Sequence, residues 1–551
     1  MSNEDAINQF YLWNGFVYVT PLIGGYVADT FLGRYKTIMS FSVFYLMGLC
    51  LFVFGTIPGA INMAVIFSAM YLIAFAAGGI KPNVSTMGAD QFDIKYAQDK
   101  KEAGQFFSYF YWSINLGALC AYTLIAYICQ YGLPFAGGES WGFFIGYSIP
   151  TVMMLVGIAI FWSGSSRYKK QPPHGSMISI AAGIFWQGLT SSNKVTKDQH
   201  WLEKASLEHG GDYEPADVEG MKYLWKIVPY LLVMIPFWGI YGQTKTAFQI
   251  QGCQMDLDLG NFQLPVSAMN IFNNITILCL VPLLDQVVYP FLKSKGYIPQ
   301  MLPKIGFGFI LAICAMIVAG FIEIYRLKNA PDAATWYDET ARDNISPCRD
   351  VDNYDPYKYQ SWLAGTEDDE PSNCSLICDD QVDNLYILDC ISCDDIPQMS
   401  HISIFWQVPQ FVLIGVSEIF ASITSLEFFY SQAPSQMRSV SQAANLFTNA
   451  VGSWLTIPLT ILVNVDSNNE WVASNVDEGH LDYYFFLLAG LMFIAEMCFV
   501  FMSSGYVYAD PEILEELSQE SHKKQEERIS SVADRDAMAT KPLLSTEEED
   551  F

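Results

Sequence analysis

Glu418 is a carboxylate where a carboxylate is costly. It sits in FVLIGVSEIFASITSLEFF, behind a long apolar run, with no basic residue within a helical turn to neutralise it. An ionisable side chain at the centre of a membrane helix costs about 2.5–3.5 kcal/mol on insertion scales, so such a residue is a functional candidate by default. Burial disfavours the charged form, so an unpaired Glu418 takes up a proton. It is then a proton carrier, a seat for a cationic ligand group, or an inert neutral acid. Ser422 follows one turn below, on the same face.

Lys81 poses the question with the opposite sign. In GGIKPNVSTMGADQF it closes an apolar run, a proline follows, and the next charge is Asp90. The lysine either snorkels from a helix end to the cytosolic interface or, if the helix runs on to about residue 89, carries its charge inside the membrane. Tyr111 and Asn115 are four apart in FFSYFYWSINLGAL, so they share a helix face and can line a polar cavity together. Gln243 and Asn273 are weaker cases, because an ordinary interhelical hydrogen bond explains each equally well.

Positioning these residues requires membrane helices. The chain has 551 residues, 52% hydrophobic and only 16% charged, with mean hydropathy +0.22. Apolar segments of about 20 residues, each able to cross a hydrocarbon core of roughly 30 Å, define the class. Spans are predicted near 9–28, 37–57, 61–80, 105–128, 142–162, 224–242, 265–284, 303–323, 402–425, 440–463 and 483–504. The result is an all-α polytopic membrane protein with eleven spans and its termini on opposite sides. Basic residues gather in alternate loops: Arg34 and Lys36; Lys95, Lys100 and Lys101; Arg167, Lys169 and Lys170; Lys293, Lys295 and Lys304; Arg438. Loops 58–60, 129–141 and 464–482 hold none, which places the N-terminus outside the cytosol and the C-terminus inside. Lys245 and Arg326 are exceptions on the outer side. No basic region precedes the first apolar run, so no cleavable signal peptide is expected.

The net charge of −28 is concentrated in the outer loop 324–400 and in the tail ending STEEEDF. Such runs are solvated surface, and so acidic a surface excludes nucleic acid as a partner. Cys348, Cys374, Cys378, Cys390 and Cys393 all fall in the outer loop, where oxidation is permitted. Five is an odd count, so one pairs with Cys253 in another outer segment or stays free. A zinc site is the alternative to disulfides. Sequons at Asn344 and Asn373 lie in the same loop and fit glycosylation there. The expected organisation is an N-terminal bundle at 1–162, a cytosolic linker at 163–223 and a C-terminal bundle at 224–323 and 402–506. The outer Cys-rich loop 324–401 interrupts that second bundle, and an acidic cytosolic tail occupies 507–551. Within the linker, SMISIAAGIFWQGL reads as a helix lying along the membrane or the bundle.

After the first span comes GGYVADTFLGRYK, with Gly25, Asp29, Gly33 and Arg34 in a short cytosolic loop. Glycines let helices pack closely, while the acid and the basic residue can bond helix ends across an inner gate. It resembles the loop between spans two and three of the major facilitator superfamily, with one extra residue between the Asp and the Gly-Arg. Together with GGIKPNVS at 78–85, FYWSIN at 110–115, SEIFAS at 417–422 and YVTPLIGGYVADTFLGRYK at 18–36, it resembles the proton-coupled oligopeptide transporter family, most of all its peptide/histidine branch. The resemblance implies a major facilitator fold of two helical bundles. By the same match, the family's first span and its ExxER motif are expected upstream of MSNEDAINQF, where the family's outer loop after that span would end.

The resemblance also implies roles. Lys81 would meet the carboxylate end of a peptide and Glu418 its amino terminus, with Glu418 and Lys81 also coupling protons. Tyr18, Tyr111, Asn115, Asn273 and Ser422 would line the cavity, with Gln243 at the seventh-span position; Gly242 stands where some members carry an acid. The expected activity is proton-coupled symport of di- and tripeptides, and of histidine, by alternating access. Small peptides, protons and the lipid bilayer are the partners, a proton gradient is the energy source, and no cofactor or metal is expected. The location implied is a lysosomal, endosomal or plasma membrane. A carrier of nitrate or another small solute is one alternative, although Glu418 would repel a purely anionic ligand; a non-transporting scaffold or sensor is another. Leu543-Leu544 beside acids loosely resembles a sorting signal for cytosolic adaptor proteins.

Overall fold

The computed structural model describes residues 3–89, 91–92, 110, 113–133, 139–170, 177–196, 199–257, 259, 264–296, 300–330, 400–434, 437–466, 470–473, 476–477, 479–510, 512–514, 516–517 and 519. Tyr111, the five loop cysteines, both loop sequons and the Leu543-Leu544 pair lie outside the described residues. Among the described residues eleven helices are long and apolar enough to cross a membrane. Hydrocarbon offers no partner for a backbone N–H or C=O, so each segment satisfies its own within a helix. Isolated β bridges pair Ser206 with Tyr213 and Asp256 with Ser403.

In chain order the helices are α1 (Asn3–Val27), α2 (Arg34–Gly55), α3 (Met63–Ala89), α4 (Ser113–Tyr131) and α5 (Gly142–Ser163), then the short α6 (Met177–Thr190). The second series is α7 (Pro215–Gly242), α8 (Val266–Ser294), α9 (Met301–Lys328), α10 (Ile404–Ser431), α11 (Arg438–Val463) and α12 (Leu481–Ser503). Within the first series α3 packs on α1 and α2, and α5 on α2 and α4; within the second, α9 packs on α10 and α12, and α8 on α10.

Two features of the sequence acquire a physical form here. Pro82 does not end α3, which continues to Ala89. A membrane helix tolerates an internal proline because neighbouring groups re-satisfy the freed carbonyl. Lys81 is therefore eight residues, roughly 12 Å at 1.5 Å per residue, short of the helix end. The extra residue after Asp29 is absorbed by a π-helical turn over Ala28–Leu32, the usual way for a helix to accommodate an insertion. The turn closes on Gly33, whose φ of 74° suits glycine and whose N–H donates to the Ala28 carbonyl at 2.9 Å. Asp29 and Arg34 flank it and are both engaged in polar or electrostatic interactions.

The expected glycine contact falls one residue earlier than the sequence reading placed it. A Cβ built on Gly24 would lie 2.2 Å from the Gly78 carbonyl oxygen, so α1 and α3 touch backbone to backbone there. Gly25 has open space around it and makes no such contact.

The chain forms two compact units. One comprises Met1–Pro173, Val233–Ser425 and Leu446–Ser503 and holds most of the membrane helices. The other comprises His174–Leu232, Leu426–Asn445 and Ser504–Phe551. In this second unit α6 buries Ala181, Ile184 and Gly188 beside the short turn Trp201–Ala205. Phe185, Trp201 and Trp225 pack ring to ring, and Lys222 pairs with Glu203 and Glu219. Tyr230, Phe428 and Tyr506 form a second aromatic cluster, with centroids 5.0–5.6 Å apart. Burial among those rings pushes the Tyr506 phenol up.

Candidate functional site

Glu418 is the last α-helical residue before a π turn at Ile419–Ile423, so α10 widens immediately after its one mid-helix carboxylate. Such turns re-aim side chains and recur at functional sites. Gly415, one turn earlier, leaves room for Asn273 of α8: a Cβ there would meet Asn273 Oδ1 at 2.8 Å. Asn273 Nδ2 consequently reaches Glu418 and donates to its Oε2 at 3.3 Å. The Tyr241 hydroxyl of α7 donates to the same carboxylate. Ser422 is half-buried on the π turn, and its carbonyl accepts from Ser425 Oγ.

The other candidate residues come from α1, α3 and α4. Tyr18 of α1 lies under Lys81, whose ammonium sits 5.3 Å from the ring centroid, a distance at which the aromatic face attracts a cation. Tyr18 is also within the electrostatic reach of Glu418. Asn115 of α4 is buried and already engaged. Tyr122, in a second π turn at Ala121–Ile125, shares the field of Glu418 through Tyr18 and Tyr241. The structure thus brings Tyr18, Lys81, Asn273 and Glu418 to one locus.

Lys245 joins them, and sequence reasoning missed it. Taken by sequence as a basic exception in an outer loop, it ends a one-turn 3-10 segment, Gln243–Lys245, that continues α7. It interacts electrostatically with Glu418, Tyr18 and Tyr122, and repels Lys81. It lines a cavity with Asn14, Tyr18, Trp238, Tyr241 and Asn449. Lys81 and Lys245 both keep exposed side chains although protein surrounds them on most sides. The available signal was spacing: Tyr241 and Lys245 are four apart, on one helical face.

Gln243 departs from expectation. Its side chain is completely buried behind the cavity wall, and its amide donates to Tyr11 Oη at 2.7 Å and to the Gly239 carbonyl at 3.0 Å. Those hydrogen bonds engage the amide inside the protein. Gly242 explains the arrangement: a Cβ there would lie 2.6 Å from the Tyr11 ring, so the tyrosine fills the space of any side chain at that position. Tyr11 belongs to α1, and its contacts join the first helical series to the second. Asn14 Nδ2 donates to Ser453 Oγ at 2.9 Å, Asn464 Nδ2 to Glu4 Oε2 at 3.1 Å and Asn3 Nδ2 to the Ala473 carbonyl at 2.9 Å. The end of α1 that sequence places outside is thereby sealed against the second series.

Arg326, the other basic exception, is paired. Fully buried, it forks onto Glu323 and donates to Asp477 at 2.6 Å, while Gln251 donates to Glu323 at 2.9 Å. Every charge in that group has its partner, which marks it as framework. Cys253 is disulfide-bonded, whereas Cys50, Cys120, Cys129, Cys279, Cys314 and Cys498 are free.

Two series of membrane helices, lining a cavity with Lys245 on its wall and Glu418 in that lysine's electrostatic reach, define a multi-pass integral membrane protein. A family model described as PTR2, the POT family, matches residues 35–357 and 381–474, and the chain belongs to that family. Protein NRT1/PTR FAMILY 8.1 of Arabidopsis thaliana is 31% identical over 569 residues, covering 92% of this chain and 88% of the relative. NRT1/PTR FAMILY 8.3 of the same plant is 30% identical over 567 residues, covering 92% and 85%. The crystal structure of an auto-inhibited POT family peptide transporter superposes with a TM-score of 0.66 over 92% of this chain and 90% of that one, at 22% identity. The POT family transporter PepTSo gives the same TM-score of 0.66 over the same shares, at 21% identity. At these identities the structural likeness is one of fold.

Proposed function

We propose that this protein is a proton-coupled symporter of di- and tripeptides that works by alternating access. The observation that supports it best is at Tyr18, which carries Lys81 of the first helical series over its ring and lies within the electrostatic reach of Glu418 of the second, a pair of opposite charges on different series. A zwitterionic peptide bridges such a pair, its carboxylate toward Lys81 and its amino group toward Glu418, through charge-assisted hydrogen bonds. Because the two charges sit on different helical series, a bound peptide ties the halves together, and release lets them rock apart. Glu418 couples the proton: neutral, it loses its hold on the ammonium, and ionised, it regains it. Free histidine carries the same pair of end groups and fits the same reading. Nitrate has a specific observation in its favour, the second lysine, together with the NRT1/PTR names of the relatives.

Uptake of a labelled dipeptide into liposomes under an inward proton gradient tests the reading. Gradient-driven accumulation that a protonophore collapses, and that Glu418→Gln loses, supports it. Nitrate accumulation without dipeptide uptake would overturn it.

A further inference from the structure

The start of α2 and the end of α5, which the basic loops place in the cytosol, carry a charged surface remote from Glu418. Tyr35 of α2 stacks on Phe161 of α5 with ring centroids 5.2 Å apart, and Tyr168 stacks on Phe161 at 5.3 Å. Gln91, just past α3, clamps the segment that follows α5. Its Nε2 donates to the Lys169 carbonyl at 3.1 Å, and its Oε1 accepts from the Lys169 N–H at 2.9 Å. Lys170 sits 4.3 Å from the Tyr35 ring centroid and donates to Ser165 Oγ at 3.0 Å. All of these residues belong to one compact unit. Lys36, Arg167, Lys169 and Lys170 are exposed, and among the described residues none of the four forms an ion pair. Their neighbours Asp29 and Arg34 are already engaged.

Apolar surface adjoins the charges. Trp162 is 68% exposed, and Val152, Leu155 and Val156 extend an exposed apolar face along α5 toward it. An apolar helix face that ends in a tryptophan and then in basic residues passes from lipid tails into the headgroup layer. The cytosolic leaflet is anionic, and four or more Lys and Arg just cytoplasmic of a membrane helix attract its lipids. We infer that this patch binds the headgroup of an anionic phospholipid of the cytosolic leaflet. The phosphate and any carboxylate of the headgroup meet Lys36, Arg167, Lys169 and Lys170, while the acyl chains lie along α5. The ring stack and the Gln91 clamp hold the basic segment in place, so little order is lost when the lipid docks. The site is independent of which solute the protein carries.

The test is native mass spectrometry of the full chain in detergent, titrated with phosphatidylserine or with phosphatidylcholine of the same acyl chains. The first phosphatidylserine is expected to bind about tenfold tighter than the first phosphatidylcholine, the effect of one or two basic contacts at a membrane surface. Lys36→Gln, Arg167→Gln and Lys169→Gln together are expected to remove that preference, and each alone to remove part of it. Lys293→Gln with Lys295→Gln, in another basic loop, is expected to leave it intact. Equal binding of the two lipids, or a preference that the triple substitution does not move, would overturn the inference. Equal loss in the Lys293 and Lys295 variant would reduce the effect to general surface charge and overturn it too. Displacement of phosphatidylserine by inorganic phosphate would make the patch a free-anion site and not a lipid site.

Discussion

Glu418 is held by hydrogen-bond donors, Asn273 and Tyr241, with Lys245 farther off. Donors orient a carboxylate without discharging it, which leaves it free to take either a proton or an ammonium. A hydrogen bond to a charged group contributes about 1.5–3 kcal/mol. Asn273→Ala is accordingly expected to raise the KM for a dipeptide by roughly tenfold or more, measured in the liposome assay; an unchanged KM would contradict the anchoring role. Lys81→Ala is expected to abolish driven uptake, whereas a lysine snorkelling at a helix end would tolerate alanine. Glu418 was legible in the sequence because an isolated acid in an apolar run has no inexpensive explanation. Lys81 was ambiguous because a following proline reads as a helix stop in water and does not act as one in a membrane. Lys245 was not legible as a site residue, since hydropathy ends the span just before it. Gln243 was recognised as notable but its direction was not, because a position in a helix does not say which polar neighbour lies behind it.

At the scale of elements, α1 and α3 are set by one contact. Gly24 against the Gly78 carbonyl leaves no space for a methyl group, while Gly25 next to it faces open space. Gly24→Ala is expected to lower the melting temperature in detergent, from an overpacking cost of about 1–3 kcal/mol, and Gly25→Ala to leave it within error. The reverse order would mean that α1 is rotated from the orientation described. The helices themselves were legible from hydropathy, since every predicted span has its counterpart among the eleven. The π turn at Ala28–Leu32 was half legible. The extra residue showed in the spacing, but whether it would lengthen a loop or swell a helix depends on packing against α2, which a linear pattern does not record.

For the whole molecule, the proposed alternating access requires the contacts between residues 3–14 of α1 and the second helical series to act as a seal that opens. Tyr11 is its most buried member, with Gln243 and Thr246 on its hydroxyl. Tyr11→Phe leaves those buried polar groups short of a partner, a loss of about 1–3 kcal/mol. Amide hydrogen exchange in the first two turns of α1 is expected to speed up by roughly tenfold, and unchanged exchange would remove Tyr11 from the seal. On the proposed reading, alternating access couples the opening of those contacts to the charge state of Glu418. The most direct measurement uses a pH-sensitive dye trapped inside liposomes that contain the protein. Adding dipeptide outside is expected to acidify the lumen. Glu418→Gln is expected to exchange labelled for unlabelled dipeptide with no acidification, whereas acidification at the unmodified rate in that variant would contradict the assignment of proton coupling to Glu418.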